Sequence, residues 1–79
     1  MAQALRFAYD KRADILDISL GKPKRAVSRE IEDDFFVRVD VRTGKIVGFS
    51  ILNFAKWFQG LDDTRPVPIA AEFSLLHAA

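Results

Sequence analysis

The sequence predicts an α+β fold: a small antiparallel sheet of four or five strands in meander order, one short helix packed on it, and a C-terminal segment that is a second helix or an arm. Three observations predict it. Apolar residues alternate with polar ones in several short runs, the period-two mark of a strand with one face buried. Brief polar links separate most of these runs and suit hairpins between antiparallel neighbours. After Asn53 the apolar period lengthens to that of a helix.

The first strand rests on Leu5, Phe7 and Tyr9, which alternate with Arg6 and Ala8. Residues 10–14, Asp-Lys-Arg-Ala-Asp, form a polar turn, and Leu16, Ile18 and Leu20 then alternate with Asp17 and Ser19 as the return strand. Gly21-Lys22-Pro23-Lys24-Arg25 breaks the pattern, because proline has no ladder donor and glycine permits a turn. Residues 26–31 form a short strand with Val27, Arg29 and Ile31 on one side, and Glu32-Asp33-Asp34 turn the chain. Phe35, Val37, Val39 and Val41 alternate with Phe36, Arg38 and Asp40, the clearest strand, rich in β-branched and aromatic residues. Arg42-Thr43-Gly44-Lys45 is a hairpin turn with Gly44 free to take positive φ, and residues 46–52 return.

Asn53 is a suitable helix N-cap. Phe54, Trp57, Phe58 and Leu61 follow at i, i+3, i+4 and i+7, one helical stripe over residues 53–61. Two turns are marginal alone, so the stripe must dock on the sheet. Residues 1–61 thus make a single β-rich domain with a short helix. Residues 62–79 make an extended connector around Pro66 and Pro68 and an apolar tail with Ile69, Phe73 and Leu76 at helical spacing.

Length bounds the core. An 8.9 kDa globule exposes about 4,800 Å² against about 12,900 Å² for its unfolded chain, a modest burial. Domains of this size usually carry a staple or a partner subunit. The 79 residues contain no Cys and one His, so disulfides and Cys-based zinc sites are excluded. Self-association remains, and a homodimer is expected, motivated by the thin core and the leftover apolar Ile69, Phe73, Leu75 and Leu76. No apolar run approaches a membrane span. The first residues, Met1 to Arg6, lack the basic start and apolar stretch of a signal peptide, and the protein is expected in the cytoplasm. A net charge of +1 gives no general pull toward nucleic acid, which is not an expected partner.

Three blocks in order carry a family resemblance: residues 9–20, YDKRADILDISL; residues 28–31, SREI; and residues 44–55, GKIVGFSILNFA. They are similar to the "YDxxADxLYIxL" opening and the "GxIVGxEILNA" block of DUF2283, a family of small prokaryotic proteins of unknown function. The resemblance runs from about Phe7 to Ala55, with Tyr9, Asp10, Asp14, Gly44, Gly48 and Asn53 as motif and turn residues. Asp17 stands where the pattern has an aromatic, and Ser50 where it has Glu. The resemblance implies a compact β-rich domain and no established activity. Members are often encoded beside a small protein with a toxin-like, ribonuclease-type domain, so it also implies antitoxin-like partner binding as an expectation.

Each residue able to carry chemistry has a plainer role beside it. Asp10 and Asp14 flank the first turn and could hold a divalent metal or act as an acid/base pair. The plainer role is a side-chain turn bond from Asp10 and a strand start at Asp14, and Lys11 and Arg12 between them oppose a cation. Glu30, Glu32, Asp33 and Asp34 offer oxygens for Ca²⁺ or Mg²⁺ but lack the glycine and spacing of a calcium loop. Lys22, Lys24, Arg25 and Arg29 could contact phosphates, yet the adjacent acids cancel much of that field. His77 has only Ser74 as a nearby hydroxyl, and Gly44 and Gly48 sit in the wrong context for a phosphate loop. No catalytic or metal residue, and no cofactor, is therefore assigned, and an enzyme is not expected.

Phe54, Trp57 and Phe58 are core or interface, since Trp and Phe are enriched at contact hot spots. Phe36, Arg38 and Asp40 share a mixed strand face able to meet a partner. The expected function is a small protein-interaction module, antitoxin-like by resemblance, with Phe36, Arg38, Trp57, Phe73 and Leu76 as partner-binding residues and a small toxin-like protein as a candidate partner. The alternative is a small-ligand or divalent-metal binding domain using Asp10, Asp14 and the acids at 30–34.

Overall fold

The computed structural model describes residues 3–22, 24–60 and 63–77. Five strands form one antiparallel sheet: β1 (Leu5–Asp10), β2 (Ile15–Leu20), β3 (Ala26–Glu32), β4 (Phe35–Asp40) and β5 (Ile46–Leu52). Each follows one of the alternating runs, and each turn uses the residue types that favour it. Asp10 accepts from the amides of Arg12 and Ala13, both at 3.0 Å, and so shapes the first turn. Gly44 takes φ 75° in the turn between β4 and β5, where its amide donates to the Asp40 carbonyl at 2.9 Å.

The strand order is β1-β2-β5-β4-β3, which corrects the meander. The hairpin β1-β2 and the meander β3-β4-β5 are each sequential, but they join through β2 and β5. Leu16 pairs with Ile51, and Ile18 with Phe49, so two strongly apolar strands lie side by side at the centre. β3, with Arg29, Glu30 and Glu32, takes an edge. The end of β2 and the start of β3 are three strand spacings apart, about 14 Å, within the roughly 17 Å reach of five extended residues.

One face of the sheet is apolar. Phe35, Val37, Phe49, Ile51, Leu16 and Ile18 share it by register. Phe35 is fully buried, with the rings of Phe49 and Trp57 at 5.7 and 6.3 Å between centroids. Phe35, Val37, Ile51 and Trp57 form the core, and Leu16, Val39, Phe49, Phe54, Val67 and Ile69 pack around it. Val67 and Ile69 therefore bring the connector down onto the sheet. β1 differs from the half-buried strand its alternation predicts: all six of its residues are exposed, because it is an edge and little packs on its apolar side.

The α-helix expected over residues 53–61 is not formed, so no α element stands beside the sheet among the described residues. Phe54–Trp57 make a single 3₁₀ turn. Asn53 does not act as an N-cap: it adopts φ 53°, ψ 43°, a left-handed conformation that turns the chain off β5, and its side chain makes no capping bond. Trp57 still reaches the core, Phe54 is half-buried, and Phe58 at φ −129° has left the helical path. Leu61, the last position of the stripe, lies outside the described residues. A short 3₁₀ turn suffices because docking on Phe35, and not propensity, fixes Trp57. Residues 63–77, where a second helix or an arm is expected, form an irregular segment with no helix or strand. No helix among the described residues is long and apolar enough to cross a membrane.

Phe35→Ala is expected to cost about 3–5 kcal/mol, comparable with all the stability a core of this size supplies. Phe58→Ala, at a ring 42% exposed, should cost far less. Urea unfolding followed by the emission of Trp57, the single tryptophan, checks both.

Candidate functional site

Among the described residues, three non-glycine residues have positive φ, and all three lie at one end of the sheet: Asp14 (φ 58°), Asp34 (φ 67°) and Asn53 (φ 53°). They sit at the β1-β2 turn, at the two-residue β3-β4 turn, and just after β5. Asx residues reach this region more readily than other L residues because the short polar side chain bonds locally. Here those side chains also bond to one another's segments. The Asp14 carboxylate accepts the Tyr9 hydroxyl at 2.6 Å and the Ala55 amide at 3.2 Å. The Asp14 carbonyl accepts the Phe54 amide at 3.2 Å. Asn53 Nδ2 donates to Asp34 Oδ1 at 3.3 Å, and the Leu52 amide donates to the Asp34 carbonyl at 2.8 Å. Asp14 thus supplies, from a distant turn, the capping oxygen that Asn53 does not.

The network shifts one titration. The pKa of the Tyr9 hydroxyl is raised above its ordinary value, first by the hydrogen bond it donates to Asp14, then by desolvation and by the Asp14 and Asp10 charges. The folded state therefore favours the neutral phenol. That contribution is complete below the ordinary tyrosine value near 10 and is lost as pH rises through the raised folded value.

This geometry bears on a metal role for Asp10 and Asp14. Both are brought to the same turn, but Asp10 is spent on two turn amides and Asp14 on a hydroxyl and an amide. Of the acids at 30–34, Asp34 turns into the network, while Glu30, Glu32 and Asp33 stay exposed. No group of three metal-type ligands occurs among the described residues.

On the opposite, polar face of the sheet, Asp17 and Ser50 are cross-strand partners, and the Ser50 hydroxyl donates to Asp17. These are two of the positions at which the chain departs from the DUF2283 pattern it resembles. The register places them directly opposite each other, so the two changes form one altered pair. Phe36 is opposite Ser50 on the other side, and Arg38 is opposite Gly48, so the mixed face foreseen around Phe36 and Arg38 exists and is half-buried. Gly48, inside β5, has a packing reason: a Cβ there would lie 2.6 Å from the Ile18 carbonyl oxygen of β2.

The other residues expected to meet a partner are separated by the fold. Trp57 is withdrawn into the core, 8% exposed, with the Arg65 guanidinium 3.7 Å from its ring centre. Phe73 and Leu76 lie on the tail, 77% and 53% exposed. An apolar cavity of about 270 Å³ opens beside them, lined by Phe7, Ile18, Phe49, Ile69 and Phe73. A shallower groove of about 730 Å³ continues past Leu5, Leu20, Leu76 and His77. Sequence reasoning missed Asp34 as a member of the network; an Asp at the end of a two-residue hairpin turn was the available indication.

The molecule is therefore a small antiparallel β-domain whose sheet is tied at one end by turn residues. The family model described as "Protein of unknown function (DUF2283)" matches residues 6–54, more than half of the chain and all five strands but the first residue of β1. The chain belongs to this family. No curated protein and no solved structure matches it.

Two outcomes test the site. Tyr9 is the only tyrosine, so its ultraviolet titration is read alone. The midpoint should lie above that of free tyrosine in the native chain and fall toward it in Asp14→Asn, which keeps an Asx residue at the left-handed position. Gly48→Ala should destabilise the chain by about 1–3 kcal/mol, seen as a lower urea midpoint.

Proposed function

We propose that this chain is a protein-interaction module that acts by holding another protein on its C-terminal segment, in the cytoplasm and without catalysis. One observation carries the proposal. Phe73, Leu75 and Leu76 are 77%, 80% and 53% exposed, on a segment that Val67 and Ile69 anchor to the core. Large apolar side chains gathered on an anchored, irregular strap are costly to leave in water and cheap to cover with a partner. The adjoining apolar cavity and groove extend the same surface. The strap can add a strand to a partner or lie in a partner's groove.

Supporting the non-enzymatic part, the polar groups nearest to a catalytic inventory are committed to the fold. Tyr9, Asp10, Asp14, Asp17, Asp34 and Ser50 all sit in turn or cross-strand hydrogen bonds. An antitoxin-like role, with a small toxin-like protein as the partner, is the narrower form of the proposal and rests on the family resemblance alone.

The test is affinity purification of the tagged full chain from its native host, beside Phe73→Ser/Leu76→Ser. A second protein held in fixed ratio by the native chain and lost from the double variant is the expected outcome. The chain recovered with no second protein, or a partner retained equally by the variant, would overturn it.

A further inference from the structure

We infer that the free edge of β1 is a dimerisation edge, and that its partner is a second copy of this chain paired antiparallel about Phe7. The inference goes beyond the partner-binding role of the tail: it rests on the outward backbone groups of β1, whose Leu5 and Phe7 side chains also line the cavity and groove beside the tail.

The two edges of the sheet are unlike. β3 carries Arg29, Glu30 and Glu32, and its register shifts between Glu30 and Glu32. Charges and a bulge are the devices by which natural edges refuse a further strand. β1 has neither device along its apolar side. It pairs with β2 in unbroken register over all six residues, Leu5↔Leu20 to Asp10↔Ile15. Its apolar side is Leu5, Phe7 and Tyr9, exposed by 38%, 66% and 47%.

The backbone phase fixes which groups face outward. The Gly21 amide donates to the Ala4 carbonyl at 2.8 Å, so Ala4 and Gly21 form a hydrogen-bonded pair. Hydrogen-bonded and non-hydrogen-bonded pairs alternate along an antiparallel ladder. Arg6, Ala8 and Asp10 therefore direct their backbone groups to β2, and Leu5, Phe7 and Tyr9 direct theirs outward. The Leu52 amide on the Asp34 carbonyl, at the other end of the sheet, fits the same phase carried across β2, β5 and β4. Among the described residues, the backbone hydrogen bonds of the tail do not reach this edge.

These outward groups are self-complementary. Antiparallel pairing centred on Phe7 sets Phe7 opposite the second copy's Phe7, and Leu5 opposite its Tyr9. All three outward residues then fall in hydrogen-bonded pairs, and sliding by one pair leaves one of them unmatched. On the polar side Arg6 meets Ala8, so no like charges stand directly opposed. The two-fold axis is normal to the sheet, which keeps both apolar faces on one side and joins the two rings of Phe7. Each chain has one unguarded edge, so assembly closes at two.

The exposed area leaves room for this contact. The chain exposes 6623 Å², about 1,800 Å² more than a compact monomer of its mass. That excess belongs to the whole chain, the exposed tail included, and is larger than the roughly 800 Å² each partner gives a standard interface. The radius of gyration of 13.7 Å likewise exceeds the roughly 11.6 Å of a compact chain of this length.

The test combines sedimentation with amide hydrogen exchange on the full chain at high micromolar concentration. A mass of twice 8.9 kDa is expected, with the Leu5, Phe7 and Tyr9 amides protected although no described residue within one copy bonds to them. Phe7→Lys sets two charges against each other on the axis and should give a monomer with its sheet intact by circular dichroism and those three amides unprotected. Val27→Lys, on the opposite edge, should remain a dimer. A monomeric native chain overturns the inference, and so does a dimer whose Leu5, Phe7 and Tyr9 amides exchange freely. A monomer that still retains a partner protein through its tail overturns only the dimer and leaves the proposed function standing.

Discussion

The position of Asp14 is the constraint on which the rest of this fold depends. One residue, held left-handed at the end of a hairpin turn, gives its carboxylate to Tyr9 on β1 and to Ala55 beyond β5, and its carbonyl to Phe54. The first hairpin and the segment after the last strand are thereby fixed to one another. Asp34 and Asn53 do the same between the β3-β4 turn and that segment. Where these links hold, Trp57 is delivered onto Phe35, and the apolar face of the sheet gains its cover. A domain with so few buried side chains cannot rely on burial to fix the chain after β5, so hydrogen bonds between turns take over the positioning.

This explains why the strands were legible in the sequence and the helix was not. Period-two alternation is local, and every strand it marked is present, including the short run at β3. The stripe of Phe54, Trp57, Phe58 and Leu61 also fits a local rule, but Asn53 was read as a capping side chain when its backbone is what the fold uses. Asn is favoured in both roles, and only the presence of Asp14 and Asp34 beside it decides between them. Strand order was illegible for a related reason. Alternation shows which face a strand buries and says nothing about its neighbours, so the preference of β2 for β5 appears only when Leu16 and Ile18 are set beside Ile51 and Phe49.

Family membership and physical role now meet residue by residue. Asp10 makes the turn, Asp14 and Asn53 hold the end of the sheet, Gly44 takes a positive φ, and Gly48 allows β5 to approach the Ile18 carbonyl. Tyr9 joins the same end through its hydroxyl. The motif shared with DUF2283 is thus accounted for by folding alone, which moves the search for function to what the motif leaves out. Those places are the tail beyond the matched residues, the apolar side of β1, and the altered Asp17–Ser50 pair.

The proposed dimer edge and the proposed partner surface adjoin, since Leu5 and Phe7 also line the cavity and groove beside the tail, but they use different groups. Edge pairing at β1 uses backbone groups and the Leu5, Phe7 and Tyr9 side chains, while the tail offers Phe73, Leu75 and Leu76 from an irregular strap. Joining two β1 strands about a two-fold axis normal to the sheet puts both tails on the same side, because the apolar faces coincide. In the proposed dimer, a partner that meets one strap finds a second within the same assembly, and two weak contacts made together hold far longer than either alone. A sheet with one guarded edge and one open edge is what such an arrangement requires: two open edges would permit a chain of indefinite length, and none would leave each strap to bind singly.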